Sequence, residues 1–425
     1  MKKEKENTIK YIEEEFYKSY NNYPEIIVSA PGRIDFLNTH QDYKGLPVVS
    51  VGIDLRTYVA ISANNSDKCI VESINLRDEG KEYRDAFNAV NPALKTGKWF
   101  GNYLRASVLS LKRMGYSIKG FNALIYSDVP VAAGLASSAA LEVSFIGALN
   151  QLFGFGLSRK EIAEAAYIAE HDIMGIPCGR LDQYGSSFGG IIKINTRPPY
   201  SIEELPWING VFIIIDSGIK HSTADIHPQR QAEINNGLKL LLEMIDLPDD
   251  VKKYIKPHYY DTLWEEIDFE KIKNYLDRLP SPYRERILFT YKMHKSTLLA
   301  LRIIKDEDIE PEEIISTLDL FDTNTIKKSI GDKLRLIGLI MDYQHILLRD
   351  YYELSLPALE RIRNHMKEAG ALGAKLSGAG LGGAIIGLTK DLNIAKKVLE
   401  AGISGGGKRG WIVNIDEGVR VEKTR

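Results

Sequence analysis

A run of small residues between a predicted strand and a predicted apolar helix constrains the fold of this chain more than any other feature. The strand is predicted at 121–127, and the segment DVPVAAGLASSAALEVSFIGAL that follows begins as a small-residue loop and continues as an apolar helix. Glycine and alanine let a backbone approach a ligand closely, and N–H groups at a helix N-terminus bind anions. Residues Gly134–Glu142 therefore predict either an anion-binding loop or a turn that only permits tight helix packing.

Hydrophobic patterns elsewhere predict strands and helices in both halves of the chain. The predicted strands lie at 26–30, 47–63, 189–195, 211–216, 372–377, 383–388 and 411–415. Helices are predicted for the N-terminal MKKEKENTIKYIEEEFYKSY, at 159–172, through much of 229–369 and at 391–401. This mixture favours an α+β fold.

The length of the chain predicts two domains, because 425 residues exceed what one hydrophobic core usually organises. The sequence PPY at 198–200, with the loop after it, marks the predicted boundary. It gives domains of 1–203 and 204–425.

Composition narrows the class of partner. A formal net charge of −2 argues against nucleic acid, since proteins that bind it carry a basic excess. The two cysteines, Cys69 and Cys178, are too few for a disulfide framework, and no segment has the ~20 apolar residues of a membrane span. We expect a cytoplasmic protein that acts on small molecules, as a monomer or a homodimer.

Two further glycine-rich segments deserve different interpretations. Gly402-Ile403-Ser404-Gly405-Gly406-Gly407-Lys408 matches the start of a P-loop, but Arg409 stands where Ser or Thr must reach the metal. It is interpreted as a flexible turn. Ser377-Gly378-Ala379-Gly380-Leu381-Gly382-Gly383 lies between two predicted strands. It predicts either a tight hairpin or a backbone wall beside a ligand.

Polar residues form two candidate clusters. Glu170 and Asp182 flank a turn, where one carboxylate could bind a metal and the other could orient or deprotonate a hydroxyl. Arg33, His40 and Asp42 form the other cluster, which suits sugar hydroxyls and a transferring phosphoryl group. A carboxylate such as Glu170 or Asp182 is usually part of a solvated face or a helix cap, and residues 42–45 could form an ordinary polar turn. Spacing alone does not decide.

Four segments together resemble the galactokinase branch of the GHMP small-molecule kinases. Residues 31–43, PGRIDFLNTHQDY, are similar to the signature PGRVNLIGEHTDY, and residues 128–142 to the phosphate loop DVPLGAGLSSSASLE. Residues 177–183, PCGRLDQ, match PCGIMDQ, and residues 375–383 resemble MTGAGFGG. All four occur in the family's order over residues 26 to 390.

The resemblance implies a two-domain fold with the active site in the cleft between the domains. The N-terminal domain would be ribosomal-S5-like, and the C-terminal domain ferredoxin-like with helical additions. The activity implied is ATP-dependent phosphorylation of the anomeric (C1) hydroxyl of a galactose-type sugar, with Mg²⁺.

The resemblance also assigns site residues by position. The catalytic pair would be Asp182 and Arg33, and the Mg²⁺ ligands Ser138 and Glu170. The ATP-binding residues would be Pro130, Ala133, Gly134, Leu135, Ala136, Ser137 and Ser138. The residues assigned to the sugar are Arg33, Thr39, His40, Asp42, Gly179, Arg180, Asp182 and His227.

Three of these positions depart from the family. Thr39 stands where galactokinases have a glutamate that helps bind the 6-hydroxyl, His227 replaces a sugar-contacting tyrosine, and Arg180 replaces an apolar residue. One anion fewer and up to two cations more would suit an anionic sugar such as galacturonate. Galactose, another C6-variant hexose and a non-catalytic sugar sensor stay open as alternatives. A kinase for mevalonate, homoserine or inositol fits residues 40–43 and 178–179 less well.

Overall fold

The computed structural model describes residues 2–131, 133–219 and 226–425. The chain divides into two compact units, each assembled from separate stretches of sequence. Unit 1 comprises Met1–Ile34, Ser50–Ile192 and Ile415–Arg425, and unit 2 comprises Asp35–Val49 and Lys193–Asn414. The linear division after residue 203 stays a prediction about domains, whereas the compact units change over at 34/35, 49/50, 192/193 and 414/415.

Helices and strands occur in both halves of the chain, and helices follow one another between the strands Val211–Asp216 and Gly373–Ser377. The helices are α1 (Lys2–Tyr20), α2 (Ile74–Asp78), α3 (Gly101–Arg113), α4 (Ser137–Phe153), α5 (Arg159–Tyr167), α6 (Leu181–Phe188), α7 (Ile226–Glu243), α8 (Asp249–Lys252), α9 (Phe269–Leu276), α10 (Tyr283–Ile304), α11 (Pro311–Thr317), α12 (Thr323–Lys327), α13 (Lys333–Ile346), α14 (Pro357–Glu368) and α15 (Leu392–Ser404). The strands are β1 (Ile26–Leu37), β2 (Val48–Ala63), β3 (Lys68–Ser73), β4 (Arg84–Asn88), β5 (Phe121–Ser127), β6 (Ile191–Asn195), β7 (Ser201–Leu205), β8 (Val211–Asp216), β9 (Gly373–Ser377), β10 (Ala384–Thr389), β11 (Arg409–Val413) and β12 (Arg420–Thr424).

Unit 1 is a mixed sheet with helices on both faces. Its strands follow the order β12-β1-β2-β5-β3-β4, and β6 pairs with β2. β3 and β5 run parallel, while β1–β12, β2–β5 and β3–β4 are antiparallel. Ile12 and Phe16 of α1 pack on one face of the sheet, and the apolar sides of α3, α4 and α5 pack on the other. The alternation of side chains along β2 and β5 supplies both cores.

β12 completes the sheet from a distant part of the sequence. β12 pairs antiparallel with β1. Arg56 of β2 hydrogen-bonds to residues 416–418, which precede β12. The guanidinium group of Arg56 is 1% exposed and donates to Asp416 Oδ2 at 2.8 Å and to the carbonyls of Glu417 and Gly418 at 2.8 and 2.7 Å. The segment 415–425 is therefore an integral part of unit 1.

Unit 2 contains a four-stranded antiparallel sheet in the order β11-β8-β10-β9. The succession β8-α14-β9-β10-α15-β11, with α7–α13 inserted after β8, is a ferredoxin-like arrangement with helical additions. It confirms the predicted fold of the C-terminal part. Asp391 caps α15 through Asn393 and Ile394, and Pro357 begins α14, which is where proline is tolerated in a helix.

Most predicted elements are present with shifted bounds. The helix predicted at 159–172 is α5 followed by a π-helical turn, Ile168–Ile173. The strand predicted at 26–30 is longer than expected, because β1 continues through Pro31 and Gly32 to Leu37. Within the described residues, no helix has both the length and the apolar character needed to cross a bilayer.

Candidate active site

In unit 1, the small-residue loop leads directly into the N-terminus of α4. Ala136, the residue before the helix, has a left-handed φ of 58° and no side chain that could cap the first turn. The N–H groups of that turn therefore lack side-chain capping and can receive an anion. Among the predicted ATP-binding residues, Pro130, Gly134, Ser137 and Ser138 are partly exposed, while Ala133, Leu135 and Ala136 are buried.

β1 fixes this loop through its backbone. The Arg33 N–H donates to the Leu135 carbonyl at 3.1 Å, and Arg33 Nη1 donates to the Gly134 carbonyl at 2.7 Å. A Cβ at Gly32 would lie 2.9 Å from the Leu135 oxygen, so only glycine permits this approach. The loop and Arg33 therefore form one rigid assembly.

Arg33 also forms an ion pair with Asp182, the second residue of α6. Its Nε and Nη2 donate to the same oxygen, Asp182 Oδ1, at 2.9 and 2.5 Å. The side chain of Arg33 is 8% exposed and that of Asp182 is 31% exposed. Because the ion pair uses only Oδ1, Asp182 can orient or deprotonate a hydroxyl through Oδ2.

Two more carboxylates lie close to Asp182. Glu170 sits in the π-helical turn after α5, where Gln183 Nε2 donates to its Oε2 at 2.7 Å and the Ser138 hydroxyl also bonds to it. Burial raises the pKa of Glu170, and the Asp182 charge raises it further. Glu142 lies one helical turn after Ser138 and is fully buried, and burial followed by the Glu170 charge raises its pKa well above the usual range.

This arrangement suits a magnesium ion that takes most of its ligands from elsewhere. Among the described residues, no three His, Cys, Asp or Glu side chains form a set able to hold a metal. Mg²⁺, however, is usually held by one or two protein oxygens together with phosphates and water. The hydrogen-bonded pair Ser138–Glu170, in a region where carboxylates repel one another, fits that requirement.

In unit 2, the segment after β1 carries the residues predicted to contact a sugar. Asn38 and His40 both have a φ of 65°, a left-handed conformation that is unusual for residues with side chains. Thr39 and His40 are buried, and Asp42 begins a short 3₁₀ turn, Asp42–Lys44. Of the segment predicted to replace the family's tyrosine region, residues 220–225 lie outside the described part of the chain.

His40 and His227 are brought together. Their ring centroids are 4.8 Å apart, and the His40 ring bonds to the backbone of Ala379. Burial lowers the pKa of His40 well below its usual value, and the neighbouring His227 and Lys44 lower it further. His40 is therefore neutral at neutral pH, with one nitrogen able to accept a hydrogen bond.

Gly179 and Arg180 belong to unit 1, where they precede Asp182 at the start of α6. Gly179 is exposed. Arg180 donates to Glu164 Oε1 and Oε2 at 2.9 and 3.2 Å, and its guanidinium carbon lies 3.8 Å from the Tyr167 ring centroid. Its charge is thus paired, and its role in sugar binding stays a prediction.

Several residues in these regions were not identified from the sequence. Gln183 holds Glu170, and Glu142 lies beside it, although both fall inside segments already singled out. Lys375, in β9, is fully buried and bonds to the Thr39 hydroxyl at 2.8 Å. The sequence could have marked Lys375 as a candidate site residue, because it lies two positions before the second glycine cluster, residues 377–383.

Three family models match the chain. The GHMP kinases N terminal domain matches residues 102–190, the galactokinase galactose-binding signature residues 14–63, and the GHMP kinases C terminal model residues 324–407. The signature covers Arg33 through Asp42, and the N-terminal model covers the loop, Glu170 and Asp182. The matches therefore coincide with the two groups of site residues.

Similar proteins extend over most of the chain. Galactokinase from Pyrococcus furiosus is 28% identical over 381 residues, covering 89% of this chain and 92% of that protein. Galactokinase from Roseiflexus sp. (strain RS-1) is 27% identical over 387 residues, covering 89% and 87%.

Solved structures share the fold. Lactococcus lactis galactokinase, complexed with galactose, has a TM-score of 0.75 at 23% identity and covers 97% of this chain and 99% of its own. Mevalonate kinase from Methanococcus jannaschii has a TM-score of 0.60 at 19% identity, covering 92% and 99%.

Proposed function

Because the chain belongs to the GHMP kinases and carries their galactokinase galactose-binding signature, we propose that it transfers the γ-phosphoryl group of ATP to a galactose-type sugar. The acceptor is the anomeric (C1) hydroxyl, and the products are the sugar 1-phosphate and ADP. Galactokinases with 24 to 28% identity over most of the chain support this assignment.

The observation that carries the mechanism is the link from the loop to Asp182 through Arg33. Phosphoryl transfer depends on positioning and on electrostatic stabilisation of the transferring group. Arg33 contacts both the Gly134 carbonyl and Asp182 Oδ1, so one cation stands between a predicted phosphate-binding loop and the carboxylate. In the proposed reaction, Asp182 orients the acceptor hydroxyl or takes its proton, and Arg33 offsets charge at the reacting oxygen.

The residues around α4 hold the nucleotide. The N–H groups of the loop and of the first turn of α4, with the hydroxyls of Ser137 and Ser138, bind the phosphates. Ser138 and Glu170 are the proposed Mg²⁺ ligands, with Gln183 fixing the orientation of Glu170. When bound, Mg²⁺ neutralises phosphate oxygens and helps to align the triphosphate.

The signature residues of unit 2 recognise the sugar ring. His40 offers a neutral acceptor nitrogen, and Asp42 accepts hydrogen bonds from hydroxyls. His227, beside His40, replaces the tyrosine expected from the family resemblance. The free thiols of Cys69 and Cys178 suit the reducing, cytoplasmic setting that we propose.

An anionic sugar is the second candidate substrate, and the structure weakens one of the three departures from the family that support it. Arg180, one of the two added cations, is engaged by both carboxylate oxygens of Glu164. The argument for galacturonate from the charge of the site therefore depends on Thr39 and His227 alone. Galactose is the substrate that these contacts favour.

Product analysis tests the proposal directly. The purified protein is incubated with ATP and Mg²⁺ and with galactose, galacturonate, N-acetylgalactosamine or arabinose in turn, and ADP release and the phosphorus–proton couplings of the product are measured. We expect galactose-dependent ADP release and phosphate on C1. An ester on another carbon, or sugar-independent ADP release only, would contradict the proposal, and faster turnover of galacturonate would favour the second candidate.

A further inference from the structure

A buried polar cluster in unit 2 joins the signature segment to β9. Lys375 is fully buried, and its Nζ donates to Thr39 Oγ1 at 2.8 Å and to the Asp35 carbonyl at 3.2 Å. Thr39, 1% exposed, donates its hydroxyl proton to Asp35 Oδ1 at 3.2 Å. Burial lowers the pKa of Lys375 to about 8, opposed by the Asp35 charge, so the ammonium form predominates at neutral pH.

The hydrogen-bonding capacity of the Thr39 hydroxyl is almost used up by this cluster. A hydroxyl has one proton to donate and two lone pairs that accept. Asp35 receives the proton, and Lys375 occupies one lone pair. Thr39 can therefore offer a ligand only one acceptor position, and its main contacts are with protein.

The residues on either side of Thr39 are in a conformation that needs support. Asn38 and His40, both at φ 65°, each carry a strain that persists only where the surroundings fix it. The Asn38 N–H donates to Gln344 Oε1 at 3.2 Å, and Asn38 Nδ2 donates to the Pro47 carbonyl at 2.5 Å. His40 bonds to the Ala379 backbone. Thr39 supplies the central attachment.

Several atoms of this turn are buried without a hydrogen-bond partner among the described residues. They are Asn38 Oδ1, His40 Nε2 and both amide atoms of Gln41. A buried polar atom left unpaired is costly, which in a binding protein is acceptable where the ligand supplies the partner. Asn38 Oδ1 and His40 Nε2 are acceptors, so their natural partners are hydroxyl groups.

We propose that Lys375 is a positioning residue for sugar recognition. Lys375 and Asp35 both hydrogen-bond to the Thr39 hydroxyl. These bonds hold Asn38 and His40 in the left-handed conformation in which their acceptor atoms receive sugar hydroxyls. Thr39 is thus mainly a structural link, and any ligand group that reaches it must donate a hydrogen bond, as a hydroxyl does and a carboxylate does not. The inference rests on the proposed function.

Variants of Thr39 and Lys375 test it. Thr39→Val keeps the shape and removes the hydroxyl, Thr39→Ser restores it, and Lys375→Met removes the partner. Thr389→Val is the matched control, because Thr389 is also fully buried with two hydrogen bonds but lies at the end of β10 away from the glycine turn. Steady-state kinetics give kcat, the KM for galactose and the KM for ATP, and thermal unfolding shows that each variant is folded.

We expect Thr39→Val and Lys375→Met each to raise the galactose KM about tenfold, with kcat and the ATP KM changed less than about twofold. Thr39→Ser and Thr389→Val should stay near the wild-type KM. Because the two residues act through one contact, the double variant should show little more effect than either single one. If Lys375→Met does not fold, the comparison of Thr39→Val with Thr39→Ser decides alone.

The inference would be overturned by an unchanged galactose KM in Thr39→Val or by an equal rise in Thr389→Val. It would also be overturned if the rise in galactose KM in the double variant were the product of the two single rises. In each case, galactose turnover by the wild type would still uphold the proposed function. No galactose turnover by the wild type would overturn the proposed function, and the inference with it.

Discussion

Replacing Asp182 with asparagine should separate the chemistry of this carboxylate from its structural role. Both bonds from Arg33 end on Oδ1, an atom that asparagine retains as a carbonyl oxygen. Exchanging charge-assisted for neutral hydrogen bonds costs about 1–2 kcal/mol. Against that loss, the variant removes the charge that raises the pKa values of Glu170 and Glu142, which relieves repulsion.

The two effects oppose each other, so we expect the free energy of unfolding to change by less than about 2 kcal/mol. Catalysis should respond far more strongly, because asparagine cannot take a proton. The expected fall in kcat is about 100-fold or more, which corresponds to about 2.7 kcal/mol of transition-state stabilisation.

Coupled measurement of ADP release gives kcat, and titration with a non-hydrolysable ATP analogue gives nucleotide affinity, which should change little. Asp172→Asn is the control, since Asp172 lies in the same unit with a side chain 41% exposed and contacts Arg113 at 3.7 Å. If the Asp182 variant keeps more than about a tenth of the wild-type kcat, the role assigned to Asp182 is refuted.

Two further changes test the surroundings. Lys44→Met should stabilise the protein by about 1 kcal/mol at pH 7, because the buried Lys44 Nζ has one hydrogen-bond acceptor among the described residues, Thr290 Oγ1 at 3.0 Å. Its other neighbours are aromatic rings, with the Phe289 and Tyr352 centroids at 4.7 and 4.9 Å, which a methionine side chain also packs against. Burial lowers the pKa of Lys44 well below normal, so the unfolded chain binds a proton that the folded chain does not, and wild-type stability should rise with pH up to about 10. Calorimetry at several pH values should show a shallower slope in the variant, and an unchanged slope would contradict this reasoning. Gly32→Ala should raise the ATP KM about tenfold, because its Cβ would displace the Leu135 carbonyl. Gly154→Ala is the control for general destabilisation, since Gly154 has a φ of 66° and no neighbouring atoms where a Cβ would stand. An unchanged ATP KM in the Gly32 variant would show that the loop tolerates the shift.

Local patterns were enough to predict much of the fold. The small-residue loop and α4, β2, β5 and β8 follow from β-branched runs and a small-residue stretch that sequence displays directly. β12 was missed because RVEKT is polar, and its place in the sheet depends on pairing with β1, almost the whole chain away. The interleaving of the two units is invisible to local patterns for the same reason.

The candidate site was predicted through its motifs rather than its contacts. Arg33 and Asp182 are 149 positions apart, and their spacing does not predict the ion pair that joins them. Arg180 shows the opposite case, because its charge, for which no partner was evident from the sequence, is paired with Glu164 of α5, sixteen positions earlier. Lys375 was overlooked because a lysine in a strand is usually exposed, whereas this one is fully buried.

The pairing of β12 with β1 limits when the sheet of unit 1 can be completed. Residues 415–425 are translated only after the whole of unit 2 has been made, yet they pair with a strand near the beginning of unit 1. During synthesis, one edge of β1 therefore lacks its partner strand until some two hundred residues of unit 2 have been made. Arg56 likewise lacks its partner Asp416 until then. Unit 1 therefore cannot be complete until unit 2 has been synthesised, although most of unit 1 is made first.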